Sequence, residues 1–398
     1  MTIKNISSKF IYECFLLFLI FILILVLFFN FTACETRDRV IKIGSQAVLS
    51  GEFSSYGENQ MISIELAASE LSPVRIGGFD YDIEVIARDD EGNAEKAFLV
   101  SQEMVEEGVT GVIGSTFDGT TKVSIPIYME YSIPIITTSA QKTELSGIGD
   151  NFFRLIISNR QKVENIASFI RDEENPQKLI LIDNRDEYSV NMVDFLIGIF
   201  DDWDMNVLRR YSIEMAAEDT DILIDNLLID DPDVVFFCGK YDELAKLVTK
   251  SREAGLNSKF ITETLGMNDN IFILVNDQQC LDGVIAVIPD PPPLARYSED
   301  IKAVDFRHKF IDFVSKAEGI EIDQPGPYAP YSYDALYILI EAMKKANSVL
   351  PGDYIKELKS ISYDGVVGHI EFDFKGDRVN PASTVFVIRD SAWVRYQK

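Results

Sequence analysis

The stretch "IKIGSQAVLSGEFSSYGENQ" at residues 41–60 decides how this chain is read. It begins as an alternating apolar strand, meets glycines at 44, 51 and 57, and runs into a helical pattern. A dinucleotide-binding loop also starts with a strand, glycines and a helix, but its fingerprint packs G-x-G-x-x-G into one tight turn. Here the glycines stand six or seven residues apart. Neither G-x-x-x-x-G-K-[ST] nor G-x-S-x-G occurs, so the chain has no P-loop and no hydrolase nucleophile elbow. "RDDEGNAEKAFLVSQE" (88–103) is acidic enough to suggest calcium. Setting Gly92 at loop position six puts Ala87 at position one, where an aspartate is required. The stretch therefore reads as a polar loop with Asn93 capping the next helix.

From Val40 onward strands and helices alternate. "VIKIGS" reads as a strand, and "ENQMISIELAASEL" as a helix with a stripe at 61, 64, 68 and 71. "YDIEVIARDD", "VTGVIGS" and "IPIITTS" are further strands, separated by helical "NAEKAFLVSQEMVEEG" and "TTKVSIPIYMEYS". A second series starts near residue 160, with strands "KLILID", "DVVFFCG" and "KFITET" between helices. Repeated βαβ units with near-continuous apolar strands predict an α/β fold of two Rossmann-like lobes, each a parallel sheet covered on both faces. Four prolines within 289–293 bar that segment from a helix interior or a central strand and suit an extended crossing. Helices at "IKAVDFRHKFIDFVSKAEG" and "YSYDALYILIEAMKKANS" follow, then a tail of antiparallel strands turning at "FKGDR" and "RDSAW".

Composition excludes several functions. The formal net charge is −27 over 398 residues, which repels nucleic acid, and no basic cluster offsets it. The two histidines, His308 and His369, have no Cys or His neighbours to complete a ligand set, so neither a zinc site nor a histidine-based triad is expected. No metal and no cofactor is expected. At the N-terminus, "CFLLFLIFILILVLFF" (14–29) follows Lys4 and Lys9 and leads into "FTAC". The run is short for a spanning helix, and small residues before a cysteine mark a processing site. The alternative is an uncleaved anchor helix extended through Phe31. Either reading holds the rest of the chain outside the cytoplasmic membrane, in the cell envelope. There a disulfide between Cys238 and Cys280 is permitted, but spacing does not decide it.

Ligands of open α/β sheets sit beyond the carboxyl ends of the strands. Three such ends in the first lobe are rich in small and hydroxyl residues: "LSGEFSSYG" (49–57), "GSTFDGTT" (114–121) and "TTSAQKTE" (137–144). The last two lead into helix starts, whose free N–H groups favour an anion such as a carboxylate.

At these residues the chain resembles the periplasmic binding proteins of the leucine/isoleucine/valine type, the type I fold. The likeness runs from "IKIGSQAVLSGEFSSYGENQMISIELAASEL" through "DDEGNAEKA", "IPIITTSAQKTEL", "DNRDEYSVNMVDF", "YSYDALYILIEAMKKA" and "FDFKGD", in family order over roughly 40–398. "FTAC" is similar to the bacterial lipobox, with Phe31 in place of the usual leucine and Cys34 as the residue to be lipidated. The resemblance implies a lipoprotein with two lobes joined by three crossings. Residues 1–34 are then the signal peptide or anchor, 40–159 plus 289–370 the first lobe, and 160–288 plus 371–398 the second. It also implies closure on a small ligand like a flytrap, delivery to an ABC permease and ATPase complex, and no enzymatic step.

Cleft positions carry over from the resemblance one at a time. Tyr56 matches an aromatic flanking the cleft. Ser139 and Ala140 match residues whose backbone holds a ligand carboxylate. Tyr188 matches a second-lobe tyrosine that meets the ligand on closure, and Tyr241 falls near another. Glu263, or Thr264 after a one-residue shift, corresponds to an acidic contact for a ligand ammonium. Two positions depart from the amino-acid binders: Asp118 replaces a serine and Gln141 a threonine. Asp118 is then either a cap on its own helix or a cleft carboxylate that selects a cationic or neutral amine-bearing ligand. Packing roles compete with ligand roles for Tyr56 and Tyr188, and for the cluster Tyr328, Tyr331 and Tyr333. Ser139 and Ala140 equally suit a tight strand-to-helix turn. The expected function is capture of an amino acid or related amine or amide for an ABC importer. The alternatives are a ligand-sensing module for a membrane receptor and an acid/base hydrolase built on Asp118 and Glu263.

Overall fold

The computed structural model describes residues 39–214, 217–289, 300–316, 324–381 and 383–397. The apolar run 14–29, Cys34 and residues 290–299 of the proline-rich crossing lie outside the described residues.

The first lobe is built on a six-stranded sheet ordered β2-β3-β1-β4-β5-β6. β1 (Val40–Ala47) runs parallel to β3 (Phe79–Asp89) on one side and β4 (Gly111–Gly114) on the other. β5 (Ile135–Thr137) and β6 (Phe152–Arg154) continue the parallel order. Helices α1 (Ser54–Leu71), α8 (Ile301–Ser315), α9 (Ala329–Ala346) and α10 (Pro351–Lys359) cover one face around Ile43, Ile64 and Leu339. Helices α2 (Ala94–Glu106) and α3 (Asp118–Glu130) cover the other, around Val112 and Ile135. Both faces are apolar, which explains the near-continuous hydrophobic strands.

The second lobe holds a seven-stranded sheet ordered β15-β14-β11-β10-β9-β7-β8. β7 (Leu179–Asp183), β8 (Val207–Ser212), β9 (Val234–Cys238), β10 (Lys259–Thr262) and β11 (Ile285–Pro289) are parallel. β14 (Ser383–Arg389) and β15 (Ala392–Arg395) add an antiparallel edge. Helices α4 (Asn159–Phe169) and α5 (Glu187–Asp202) pack on one face, and α6 (Ala217–Asp230) and α7 (Tyr241–Glu253) on the other.

Glycines in the opening stretch serve backbone geometry. Gly51 adopts φ +76° in the turn after β1, and a Cβ on Gly57 would stand 1.9 Å from the Val48 carbonyl oxygen. Only glycine lets α1 approach the end of β1 that closely.

Several expectations change in detail. The α1 stripe is wider than predicted: Ile62, Ser63, Leu66 and Ala67 are buried along with Ile64 and Ala68, while Met61 and Leu71 are half-buried. β2 (Val74–Ile76), which pairs with β3 through the Gly77–Gly78 turn, and α10 went unread because both are short. The tail does not form one antiparallel run. β12 (Tyr363–Gly365) and β13 (Gly368–Ile370) make a separate ribbon against the first lobe's core, while β14 and β15 join the second sheet. The turns at "FKGDR" and "RDSAW" form as expected, with Gly376, Asp390 and Ser391 at positive φ.

Two crossings between lobes are tied together. The Arg154 amide donates to the Gly376 carbonyl at 2.8 Å, and the Arg378 amide to the Arg154 carbonyl at 3.2 Å. Gln161 Nε2 donates to the Arg378 carbonyl at 2.7 Å, and Asn165 Nδ2 to the Pro381 carbonyl at 2.9 Å.

Candidate functional site

Strand order reverses at β1 in the first sheet, which lies between β3 and β4, and at β7 in the second, which lies between β8 and β9. Crevices at such switch points are where open α/β sheets hold ligands. The loop after β5 in the first lobe and the helix after β7 in the second share a cavity. Lys142, Thr143 and Glu144 from the first lobe line one cavity of about 260 Å³ with Asn159, Val163, Tyr188 and Phe195. A larger cavity of about 660 Å³, lined by Asn175, Asp233, Asn257 and Lys259, lies at the opposite, amino end of the second sheet. It collects none of the residues predicted for a site.

In the first lobe the site is built on the loop after β5. Thr137 Oγ1 accepts from the Ala140 amide at 3.1 Å, and Ser139 Oγ donates to the Thr116 carbonyl at 2.7 Å. These bonds fold Ser139 and Ala140 into a tight, buried turn. Asp118 is the first residue of α3 and follows the N-cap position, Phe117. Its Oδ1 reaches across to the next loop and accepts from the Gln141 amide at 2.8 Å and the Lys142 amide at 2.9 Å. The loop is held from its other side by Arg154, a fully buried guanidinium. Arg154 donates to the Lys142 carbonyl at 2.8 Å and to Ser146 Oγ, and pairs with Asp377 Oδ1 at 2.8 Å.

Beneath these strand ends lies a buried polar network. Gln46 donates to Ser124 Oγ at 2.9 Å and accepts from the Tyr128 hydroxyl at 2.8 Å, and Ser115 Oγ donates to Asp90. Burial pushes the Asp90 carboxyl up, against the pull of its hydrogen bonds. Asn93 caps α2 as expected, its side chain accepting from the Glu95 and Lys96 amides.

Half-buried and exposed aromatics extend from Phe117, the residue before Asp118. Phe53 meets Phe117 edge-on at 5.7 Å, stacks toward Tyr56 at 6.4 Å, and Tyr56 reaches Tyr328 at 5.8 Å. Tyr331 and Tyr333 are buried in the first lobe's core and stand apart from this group.

In the second lobe the site is a three-residue cluster. Ser158 and Gln161 form a capping box that starts α4, and Lys162 then sits on its inner face. Lys162 Nζ pairs with Glu263 Oε2 at 2.9 Å and donates to the Tyr188 hydroxyl, which donates to Glu263 Oε2 at 3.1 Å. The second carboxylate oxygen of Glu263 accepts from the Leu265 amide at 3.0 Å. Glu263 is wholly buried, so each of its oxygens is satisfied from within. The turn that aims it needs Gly266, where a Cβ would meet Thr262 Oγ1 at 2.1 Å. Burial, followed by the Glu263 charge, pushes the Tyr188 phenol far above its ordinary range. The same causes push up the buried Cys238 thiol at the end of β9. Cys238 and Cys280 are both free thiols.

The structure thus brings Tyr56 and Asp118 to one side of the cleft with the Ser139–Gln141 turn, and Tyr188 and Glu263 to the other. Tyr241 opens α7 at the carboxyl end of β9 and is half-buried against the second lobe's core. Lys162 and Arg154 went unread in the sequence. The available signal was a cation inside an apolar pattern: Lys162 falls one turn before Ile166, and Arg154 interrupts "FFRLII".

A family profile described as periplasmic binding protein matches residues 40–392. The leucine-specific-binding protein of Salmonella typhimurium is 24% identical over 339 residues, covering 85% of this chain and 88% of that protein. The leucine-, isoleucine-, valine-, threonine- and alanine-binding protein of Pseudomonas aeruginosa is 22% identical over 359 residues, covering 90% and 92%. The crystal structure of a putative branched-chain amino acid ABC transporter from Rhodospirillum rubrum superposes with a TM-score of 0.76 at 17% identity, covering 90% of this chain and 99% of that one. That likeness is one of fold.

Proposed function

The chain belongs to the periplasmic binding protein family, and from that premise we propose that it is an extracytoplasmic solute-binding lipoprotein. It captures a small polar solute, an amino acid or a related amine or amide, between its lobes and hands it to an ABC importer. The observation that carries this reading is the meeting of the two strand-end loop sets, Lys142 from one lobe and Tyr188 from the other lining one cavity. The names of the relatives, a leucine-specific-binding protein and a binding protein for several aliphatic amino acids and threonine, support solute capture.

The mechanism is a population shift. A solute held on the first lobe touches Tyr188 and its neighbours only when the lobes approach, so its affinity is higher for the closed form. The importer then reads the closed shape. Cys34 supplies the lipid anchor. The solute contacts are Tyr56, Asp118 and Gln141 in the first lobe and Tyr188 in the second, with Ser139, Ala140 and Glu263 as the scaffold that holds them.

Native mass spectrometry of the full chain released from detergent tests the reading. A bound small molecule at one per chain is expected, together with a mass increment of a diacylglyceryl group that disappears in Cys34→Ser. A chain that stays solute-free after gentle purification and after exposure to amino acids, amines and amides would overturn it.

A further inference from the structure

Resting on the solute-binding reading, we propose that the site is built for an ammonium-bearing organic cation, and that Asp118 with the rings of Phe53, Tyr56, Phe117 and Tyr328 forms the cation pocket. A zwitterionic amino acid needs an anion site and a cation site. In this chain the protein's own groups fill both. Donors at the strand ends that would receive a ligand carboxylate are engaged: the Gln141 and Lys142 amides by Asp118 Oδ1, the Ala140 amide by Thr137 Oγ1, and the Val48 amide by Thr116 Oγ1. A ligand carboxylate placed there would also face the Asp118 charge.

At the second pole, the Glu263 carboxylate that would receive an ammonium already holds Lys162 and the Tyr188 hydroxyl. That cluster is neutral and complete. Asp118 differs, because its partners are two neutral amides and no cation pairs with it among the described residues. Phe117 precedes it, and Phe53, Tyr56 and Tyr328 run on from Phe117 through ring contacts, Phe53 and Tyr56 with exposed faces. The charge of Asp118 is felt at Tyr328, whose phenol is raised first by burial and then by Tyr56 and Asp118. A carboxylate bordered by ring faces attracts an alkylammonium group through both charge and ring quadrupole. The chain's net charge of −27 enriches cations near the cleft as well.

The test is isothermal titration of the full chain in detergent with choline, putrescine and leucine, on the wild type, Asp118→Asn and Tyr56→Leu. Asp118→Asn keeps an oxygen for the Gln141 and Lys142 amides and removes only the charge. Saturable binding of choline or putrescine is expected, with leucine about 100-fold weaker or absent, and a loss of about 10-fold or more in cation affinity in Asp118→Asn. Tyr56→Leu keeps apolar bulk and removes a ring face; a several-fold loss of cation affinity is expected there, so the proposal is testable even if Asp118→Asn fails to fold. Leucine binding to the wild type without cation binding, or cation affinity unchanged in both variants, would overturn the cation pocket and leave the solute-binding reading standing. Binding of none of the three solutes to any form would overturn the pocket, and a solute-free native mass spectrum would bring down the broader reading with it.

Discussion

Replacing Lys162 with methionine keeps most of the side chain's length and apolar bulk and removes its charge. Its Nζ stands 2.9 Å from a carboxylate oxygen of Glu263, with the lysine side chain 10% exposed and the glutamate wholly buried. At an effective dielectric of about 20, that separation corresponds to an attraction of about 6 kcal/mol. Desolvation of both ions cancels part of it, and losing one partner of a buried pair costs about 3–5 kcal/mol. Both tryptophans of the chain, Trp203 and Trp393, pack in the second lobe. Urea unfolding followed by tryptophan fluorescence therefore reports the lobe that holds the pair. With a slope of about 2 kcal/mol per M, the midpoint should fall by about 1.5–2.5 M at pH 8.

Lys162→Met leaves the buried Glu263 carboxylate without its cation. Adding Glu263→Gln to Lys162→Met should recover part of the loss at pH 8. A Lys162→Met midpoint within about 0.3 M of wild type at pH 8, or no recovery in the double variant, would refute this account of the cluster.

Asp377→Ala strands the buried Arg154 guanidinium, whose remaining partners are the Ala140 and Lys142 carbonyls and Ser146; a loss of about 3 kcal/mol is expected in calorimetry or circular dichroism, and an unchanged transition would show that the two tied crossings are not braced by this pair. Asp334 lies fully buried under the β12–β13 ribbon, accepting from the Val366 and Val367 amides, and burial lifts its pKa to about 6. Because the folded value is above the unfolded one, wild-type stability should fall relative to Asp334→Asn by about 2 kcal/mol as pH rises from 4 to 7. Circular dichroism during denaturation checks this, and a difference that is flat or grows the other way would contradict it.

The alternation of strands and helices was legible because both faces of each sheet are covered, which leaves near-continuous apolar strands such as "VVFFC" and "LILID". Boundaries of short elements were not, since three residues of β2 carry no period. Among the proposed site residues, Tyr56 and Asp118 fell at strand ends that the residue pattern located, while Tyr188 and Glu263 came from the family resemblance. Their partners were not legible, because Asp118 bonds a loop 23 and 24 residues away and Lys162 reaches Glu263 on another strand. A helix cap and a cross-loop brace look identical in sequence; only the fold shows that Asp118 is the brace. Lys162 reads as a solvated charge until its place on the inner face of α4 is known.

Closure of two lobes on a solute is the central claim, and small-angle X-ray scattering tests it most directly. The full chain in detergent would be titrated with choline, putrescine and leucine while binding is followed in parallel. The account predicts a radius of gyration that falls saturably, with the same midpoint as binding, for the solute that binds. Saturable binding with an unchanged radius of gyration would contradict it.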